Sequence, residues 1–339
     1  MKLCFLIPAY NEAKVIRKSI LGCYRAGVPH EDVYVVDDGS KDETSAIARH
    51  YRAQVLTKPN GGKAAALEAG LQYFDLVNRY THIAVLDADS VIDPGYVLAM
   101  EQAVLKHEDA VLFCGRQCSA RGPKWNWLTA HRTGAYAVWC GVYREAQHAT
   151  GTVNVAPGFA SMYELRTFAS LDFHGGTVVE DMDMTIELQR RGAQIVYVPD
   201  ATVYTQDPTN LRDFCGQMMR WYRGTWQVIK KHKLGRRRQR VDVEVGMLIA
   251  EQMVTGALIV TLPIWLYYYP TVVLYSVVID QLMVLTYTVL TAIRERRPEL
   301  IVMFPTFVVP RLIGFFLFVW AYLLELRTTE TKWYSAARY

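Results

Sequence analysis

Paired cysteine chemistry is missing from this chain. Six cysteines occur (Cys4, Cys23, Cys114, Cys118, Cys140 and Cys215), but none form Cys-x-x-Cys, and no histidine stands at finger spacing from Cys114 and Cys118. That pattern excludes a zinc finger and a disulfide framework, and leaves reduced core thiols in a reducing compartment. Charge of one sign is also scarce. Lys plus Arg number 37 against 33 Asp plus Glu, a net charge of +4, so a nucleic-acid partner has no global electrostatic support. No internal repeat and no low-complexity stretch is found. Asn60-Gly61-Gly62-Lys63 lacks the full spacing of a P-loop. Residues 1–7 form a strand too short for a secretory leader.

Apolar residues are present in quantity, 51% of the chain with 21 Tyr and 8 Trp, but unevenly spread. Residues 1–240 carry charge throughout and read as a soluble domain. Residues 241–326 read as a membrane region. Met247–Tyr269 and Thr271–Ile293 are each long enough to cross a bilayer, with Tyr267-Tyr268-Tyr269-Pro270 as an interfacial turn. Basic residues at 230–240 and at Arg294, Arg296 and Arg297 flank this pair, which predicts a hairpin with both ends cytoplasmic. The third stretch, 300–326, contains Pro305, Pro310 and Arg311. A mid-bilayer Arg is costly, so it reads as an interfacial or re-entrant helix. That leaves 327–339 as a tail on the cytosolic side.

Within the first 240 residues, short apolar runs alternate with helical spacing. Strands are expected at Lys2–Ile7 (ending at Pro8), Asp32–Val36, Gln54–Thr57, Ile83–Leu86, Asp109–Cys114 and Gln194–Val198 (ended by Pro199). Helices are expected over Glu12–Ala26, Thr44–Tyr51, Ala64–Tyr73, Met182–Arg191 and Leu211–Lys233, and 116–150 reads as irregular and aromatic. The alternation argues for an α/β domain with a mostly parallel, Rossmann-like sheet.

Polar motifs fall just after the strand ends, where open α/β sheets bind ligands. Asp87-Ala88-Asp89 places two carboxylates within reach of one metal ion; a solvated turn is the plainer alternative. Asp38 is either an acceptor for a base edge or a turn residue. Lys63, at a helix start, can face phosphate or base. Glu180 and Asp181 open a helix, where they either complement its dipole or supply a general base, with Asp183 in reserve. Gln217, Arg220 and Trp221 share one helix face, where Arg can clamp a diphosphate and Trp can underlie a sugar ring. An amphipathic interface helix is the competing reading.

Pro8–Glu12, Asp37–Ser40, Asn60–Ala64, Asp87–Asp89, Glu180–Asp181 and Gln217–Trp221, in this order, resemble the membrane-integrated family-two glycosyltransferases. The similarity is greatest to the branch of hyaluronan, chitin-oligosaccharide and poly-N-acetylglucosamine synthases. The resemblance implies a GT-A catalytic domain followed by C-terminal membrane helices, in a multi-pass protein of the cell membrane with that domain in the cytosol. It implies that Ala9, Tyr10, Glu12 and Asp38 hold uridine, with Lys63 and Asp87 completing the pocket. Asp89, with Asp87, would bind Mg²⁺ or Mn²⁺. Asp181 would be the base of an inverting transfer, Gln217 and Arg220 would hold the diphosphate, and Glu180 and Trp221 would face the acceptor. The tail looks like the family's gating segment, with Trp333 and Arg338 closing over nucleotide. Phe159-Ala160-Ser161 after Pro157-Gly158 stands where an acceptor loop is expected.

The resulting expectation is a membrane-bound β-glycosyltransferase that uses UDP-N-acetylglucosamine or UDP-glucose to extend a glycan. Two alternatives stand beside it: a non-processive transferase acting on a lipid, and a nucleotide-sugar-binding subunit without turnover. Relatives with more membrane helices than this sequence shows raise the further expectation of a homo-oligomer or an accessory membrane subunit.

Overall fold

The computed structural model describes residues 1–122, 125–235 and 239–327. It divides into two compact units. One comprises Met1–Ala120 and Tyr143–Gln206; the other comprises Arg121–Val142 and the described residues from Asp207 onward.

The first unit is built on eight strands: β1 Leu3–Ala9, β2 Val33–Asp37, β3 Gln54–Thr57, β4 His82–Val85, β5 Val91–Ile92, β6 Ala110–Ser119, β7 Ser161–Glu164 and β8 Gln194–Thr205. Their order in the sheet is β3-β2-β1-β4-β7-β6-β8-β5. β3, β2, β1 and β4 are mutually parallel, as are β6 and β8, while β7 and β5 run antiparallel to their neighbours. The expected mostly parallel sheet is thus present. β2 (VYVVD) is buried at every position, which suits a strand covered on both faces. Phe5, Ile7, Val33, Val35, Ala84 and Phe113 share one core with Ile16 and Ile20 from the helix Ile16–Arg25. Each Val, Ile and Phe side chain among them contributes about 1.5–3 kcal/mol by leaving water.

Three expectations are corrected. β1 runs through Pro8 to Ala9. Leu6 O accepts from Leu86 N, so even-numbered residues point toward β4. β4 pairs only as far as Leu6, so Pro8 has no ladder bond to donate there. β8 likewise continues past Pro199 to Thr205. Its register against β6 jumps from Gly115↔Val198 to Arg116↔Thr202, so Pro199 falls in a bulge. Residues 116–150 are largely helical, with Trp127–Val138 and Arg144–Thr150 joined by a π-helical turn. Asn126 starts the first of these with a capping box to Thr129. All six cysteines are free thiols, five of them buried.

The second unit contains helix Trp127–Val138, the 21-residue helix Leu211–Lys231 and three apolar segments. Arg240–Tyr268, Pro270–Arg294 and Glu299–Arg327 are each long and apolar enough to cross a membrane. The last is made of three helical pieces: Glu299–Met303, a 3-10 turn Phe304–Phe307, then Val308–Arg327. This final helix packs along Leu211–Lys231, with Phe318 and Tyr322 on Trp226 and Glu325 bonded to Arg223 at 2.5 Å. Within the same unit Arg311 forms a bidentate pair with Asp280, at 2.9 and 2.8 Å.

Candidate active site

The parallel strands β1, β2, β3 and β4 end on one edge of the sheet, and each is followed by a sequence-predicted polar motif. After β1, Asn11 adopts φ +56°. Its side-chain oxygen accepts from Lys41 N and its own N–H donates to Ser40. These bonds tie the first motif to the second. Tyr10 stays 45% exposed, open to a ring stacked on it, while Ala9 and Glu12 are buried.

Asp38 does more than sit in a turn. It is buried, and its carboxylate accepts from Gly61 N, Gly62 N at 2.7 Å and Lys58 Nζ at 2.6 Å. It therefore fastens the turn that carries Lys63. A side chain at Gly39 would collide with that turn, its Cβ falling 2.9 Å from Asn60 N. The closeness of these two loops explains the glycine.

Lys63 bridges Asp87 at 2.8 Å and Glu180 at 2.9 Å. Burial works against its charge, but the two carboxylates outweigh that cost and hold the ammonium well above its ordinary range. Asp181, next to Glu180, accepts from Gly158 N at 3.1 Å and Met182 N at 2.8 Å. Burial raises its pKa above the usual carboxylate value, and the negative charge of Glu180 adds to the shift. Lys63 and the two N–H donors oppose it. A carboxylate that is poorly solvated, aimed and raised in pKa is suited to taking a proton. Gly158 leaves no spare room: a Cβ there would lie 3.2 Å from Lys63 Nζ and 3.3 Å from Asp181 Cβ. The loop expected to meet the acceptor thus lies against the candidate base. Asp183, the reserve candidate, is buried and receives the Thr177 hydroxyl at 3.2 Å.

Asp87 and Asp89 follow the end of β4 at Val85, as expected. Among the described residues no group of three or more His, Cys, Asp or Glu side chains forms a metal cage. Two carboxylates nevertheless fit Mg²⁺ or Mn²⁺ in one particular way: hard oxygen donors whose remaining positions go to substrate phosphate and water. Lys63 also reaches Asp87 at 2.8 Å, so a cation there would share that carboxylate with the ammonium.

The second unit holds Gln217, Arg220 and Trp221 on helix Leu211–Lys231, which Asn210 caps through Asp213 N. Gln217 Oε1 is buried with no hydrogen-bond partner among the described residues. Sequence reasoning missed Arg132, whose guanidinium lies 4.6 Å from the Trp221 ring and 4.6 Å from the Tyr136 ring. The i, i+4 spacing of Arg132 and Tyr136 was the available signal. Trp333 and Arg338 lie outside the described residues.

The sheet and the motifs on its edge define a GT-A, Rossmann-like nucleotide-sugar transferase class. A family model described as "Glycosyltransferase like family 2" matches residues 2–224, and the chain belongs to that family. Among curated relatives, a poly-beta-1,6-N-acetyl-D-glucosamine synthase of Staphylococcus epidermidis is 24% identical over 246 residues, covering 68% of this chain and 58% of the relative. The enzyme of the same name from Staphylococcus aureus is 24% identical over 236 residues, covering 67% and 55%. The chain thus spans little more than half the length of these relatives. Among solved structures, a mannosyltransferase from Pyrobaculum calidifontis in complex with GDP-Man and Mn²⁺ covers 92% of this chain and 86% of its own, with a TM-score of 0.56 and 14% identity. At that identity the likeness speaks for the fold.

Proposed function

We propose that the chain is an inverting glycosyltransferase that moves a sugar, N-acetylglucosamine before glucose, from a UDP-sugar onto a growing glycan. The observation that carries this reading is the Asp181 carboxylate, held by Gly158 and raised in pKa beside the Lys63–Asp87–Glu180 network. Asp181 takes the proton of an acceptor hydroxyl. The freed oxygen attacks the anomeric carbon, the bond from that carbon to the diphosphate breaks, and UDP leaves with the bonding pair. Mg²⁺ or Mn²⁺ held by Asp87 and Asp89 would neutralise the departing diphosphate. Tyr10 and Asp38 serve the uridine side, Gln217 and Arg220 the diphosphate, and Trp221 and Glu180 the acceptor. The choice of N-acetylglucosamine draws on the names of the curated relatives.

The same reading places residues 1–240 in the cytosol and 241–326 in the cell membrane. The 3-10 turn at Phe304–Phe307 and the pairing of Arg311 suit an interfacial or re-entrant entry of the third segment. Pairing also answers the charge problem at Arg311. Loss of either partner should leave a lone charge costing on the order of 2.5–3.5 kcal/mol at bilayer depth. Asp280→Ala and Arg311→Ala should therefore each lower the thermal midpoint in lipid nanodiscs, and the double variant should recover most of the loss. Additive losses in the double variant would sink this placement.

A lipid-acceptor reading has one observation in its favour. A groove of about 660 Å³ between helices Arg240–Tyr268 and Val308–Arg327 is lined by Gly256, Ile259, Val260, Phe315 and Trp320, all apolar or small. UDP release by the purified protein, over a panel of UDP-sugars with Mg²⁺ or Mn²⁺, decides between the two. A growing water-soluble glycan is the expected product. Product found only in the lipid-extractable fraction would transfer the assignment to the lipid reading. UDP binding without release would contradict both.

A further inference from the structure

Arg132 lies in the region whose sequence was least informative. Its helix, Trp127–Val138, is fastened at its start, where Asn126 donates to Thr209 O at 2.6 Å. Arg132 is 4% exposed. Removing a guanidinium from water is costly and needs compensation. A carboxylate supplies part of it: Arg132 Nε stands 3.6 Å from Asp207 Oδ1. That separation exceeds a hydrogen bond, so the tighter geometry lies elsewhere. The guanidinium carbon is 4.6 Å from the Tyr136 ring centroid and 4.6 Å from that of Trp221, and an Arg132 N–H donates to the Tyr136 hydroxyl at 2.5 Å. The cation is thus shared by two rings and steered by a phenol oxygen. Trp221, Ile313 and Leu317 all pack against the buried cluster of Leu128, Phe214 and Met218.

We propose that Arg132 is a positioning residue for the acceptor. Its guanidinium covers one face of the Trp221 indole, fixes the ring plane and leaves the remaining surface to a sugar. The inference rests on the reading of Trp221 as the acceptor platform. The chemistry explains why arginine stands there. A planar, delocalised cation stacks on an aromatic face, whereas a lysine ammonium is a compact, strongly hydrated point charge. A ring whose plane is set before the acceptor arrives spends less binding energy on ordering.

The test is steady-state kinetics on the full membrane protein, with UDP-N-acetylglucosamine as donor and an N-acetylglucosamine oligosaccharide as acceptor. Arg132→Lys should raise the acceptor KM about 3- to 30-fold, the range expected for loss of one such cation–ring contact, with the donor KM unchanged. Trp221→Ala should raise the acceptor KM further, and adding Arg132→Lys to it should change nothing more. A merely structural arginine would behave otherwise: its loss would shift donor and acceptor KM together and add to the Trp221 effect. Additivity therefore overturns the inference while leaving Trp221 as the platform. An unchanged acceptor KM in Trp221→Ala overturns the platform reading and the inference with it. If Arg132→Lys does not fold, Tyr136→Phe carries the test. It keeps the ring and removes only the hydroxyl that steers the guanidinium, so it should give a smaller, acceptor-only rise. No rise there also overturns the proposal.

Discussion

Asp181→Asn should reduce turnover by on the order of 10²–10⁴-fold, the usual range for loss of a general base, while UDP binding persists. Asparagine keeps one of the two oxygens that accept from Gly158 N and Met182 N, so one of the two contacts that fix the loop and the helix start should remain. What is lost is the ability to take a proton. The pH dependence follows with a definite sign. The base works ionised, so the rate rises with pH as Asp181 deprotonates. Burial and then Glu180 raise the Asp181 pKa, against the opposing charge of Lys63, so the acidic limb should lie above about 3.9, the ordinary aspartate value. Lys63→Met removes the opposing charge and should move the limb higher still. Single-turnover UDP release measured across pH reads both effects. Persisting turnover in Asp181→Asn would remove the base assignment. A Lys63→Met limb shifted downward would show that the electrostatic account has the wrong sign.

How much of this was legible in the sequence depends on how local the physics is. β1, β2 and β4 were readable because a strand buried on both faces is a continuous apolar run, and burial is what the sheet imposes. The two prolines misled because their effect depends on a neighbour strand that the sequence does not show: Pro8 lies beyond the end of β4, and Pro199 falls in a bulge against β6. Asp38 was visible as a polar residue at a strand end. Its clamp on Gly61 and Gly62 joins groups more than twenty positions apart, which no spacing rule reveals. Helix Trp127–Val138 was missed because its buried face carries Thr129, Arg132 and Thr133 beside Leu128, Ala130 and Tyr136, blurring the apolar period. Arg311 stands out in the sequence as an anomaly in an apolar segment, yet only the packed helices show that Asp280 satisfies it.

Asp89→Asn is the second substitution expected to have a large effect, and it separates the two carboxylates that follow β4. Asp87 already has Lys63 at 2.8 Å, so its charge is largely balanced before any ligand arrives. Asp89 is half-buried and receives the Ser90 hydroxyl at 3.2 Å among its contacts, and its carboxylate is a hard oxygen donor of the kind a divalent cation takes. With two protein carboxylates and a diphosphate as ligands, removal of one charge should weaken metal and donor together. Asp89→Asn should cost on the order of 10²–10³-fold in turnover, as for loss of a group that stabilises developing negative charge, and it should raise the Mn²⁺ concentration needed for half-maximal rate. Asp87→Asn should act differently. It leaves Lys63 on Glu180 alone, at 2.9 Å, and so perturbs the surroundings of Asp181 as well as the metal. Its acidic limb should therefore move, whereas that of Asp89→Asn should stay with the parent protein. Metal titrations at several pH values distinguish the two variants. Full turnover of the parent protein in excess chelator would dismiss a metal at this strand end and leave Asp87 as a partner of Lys63.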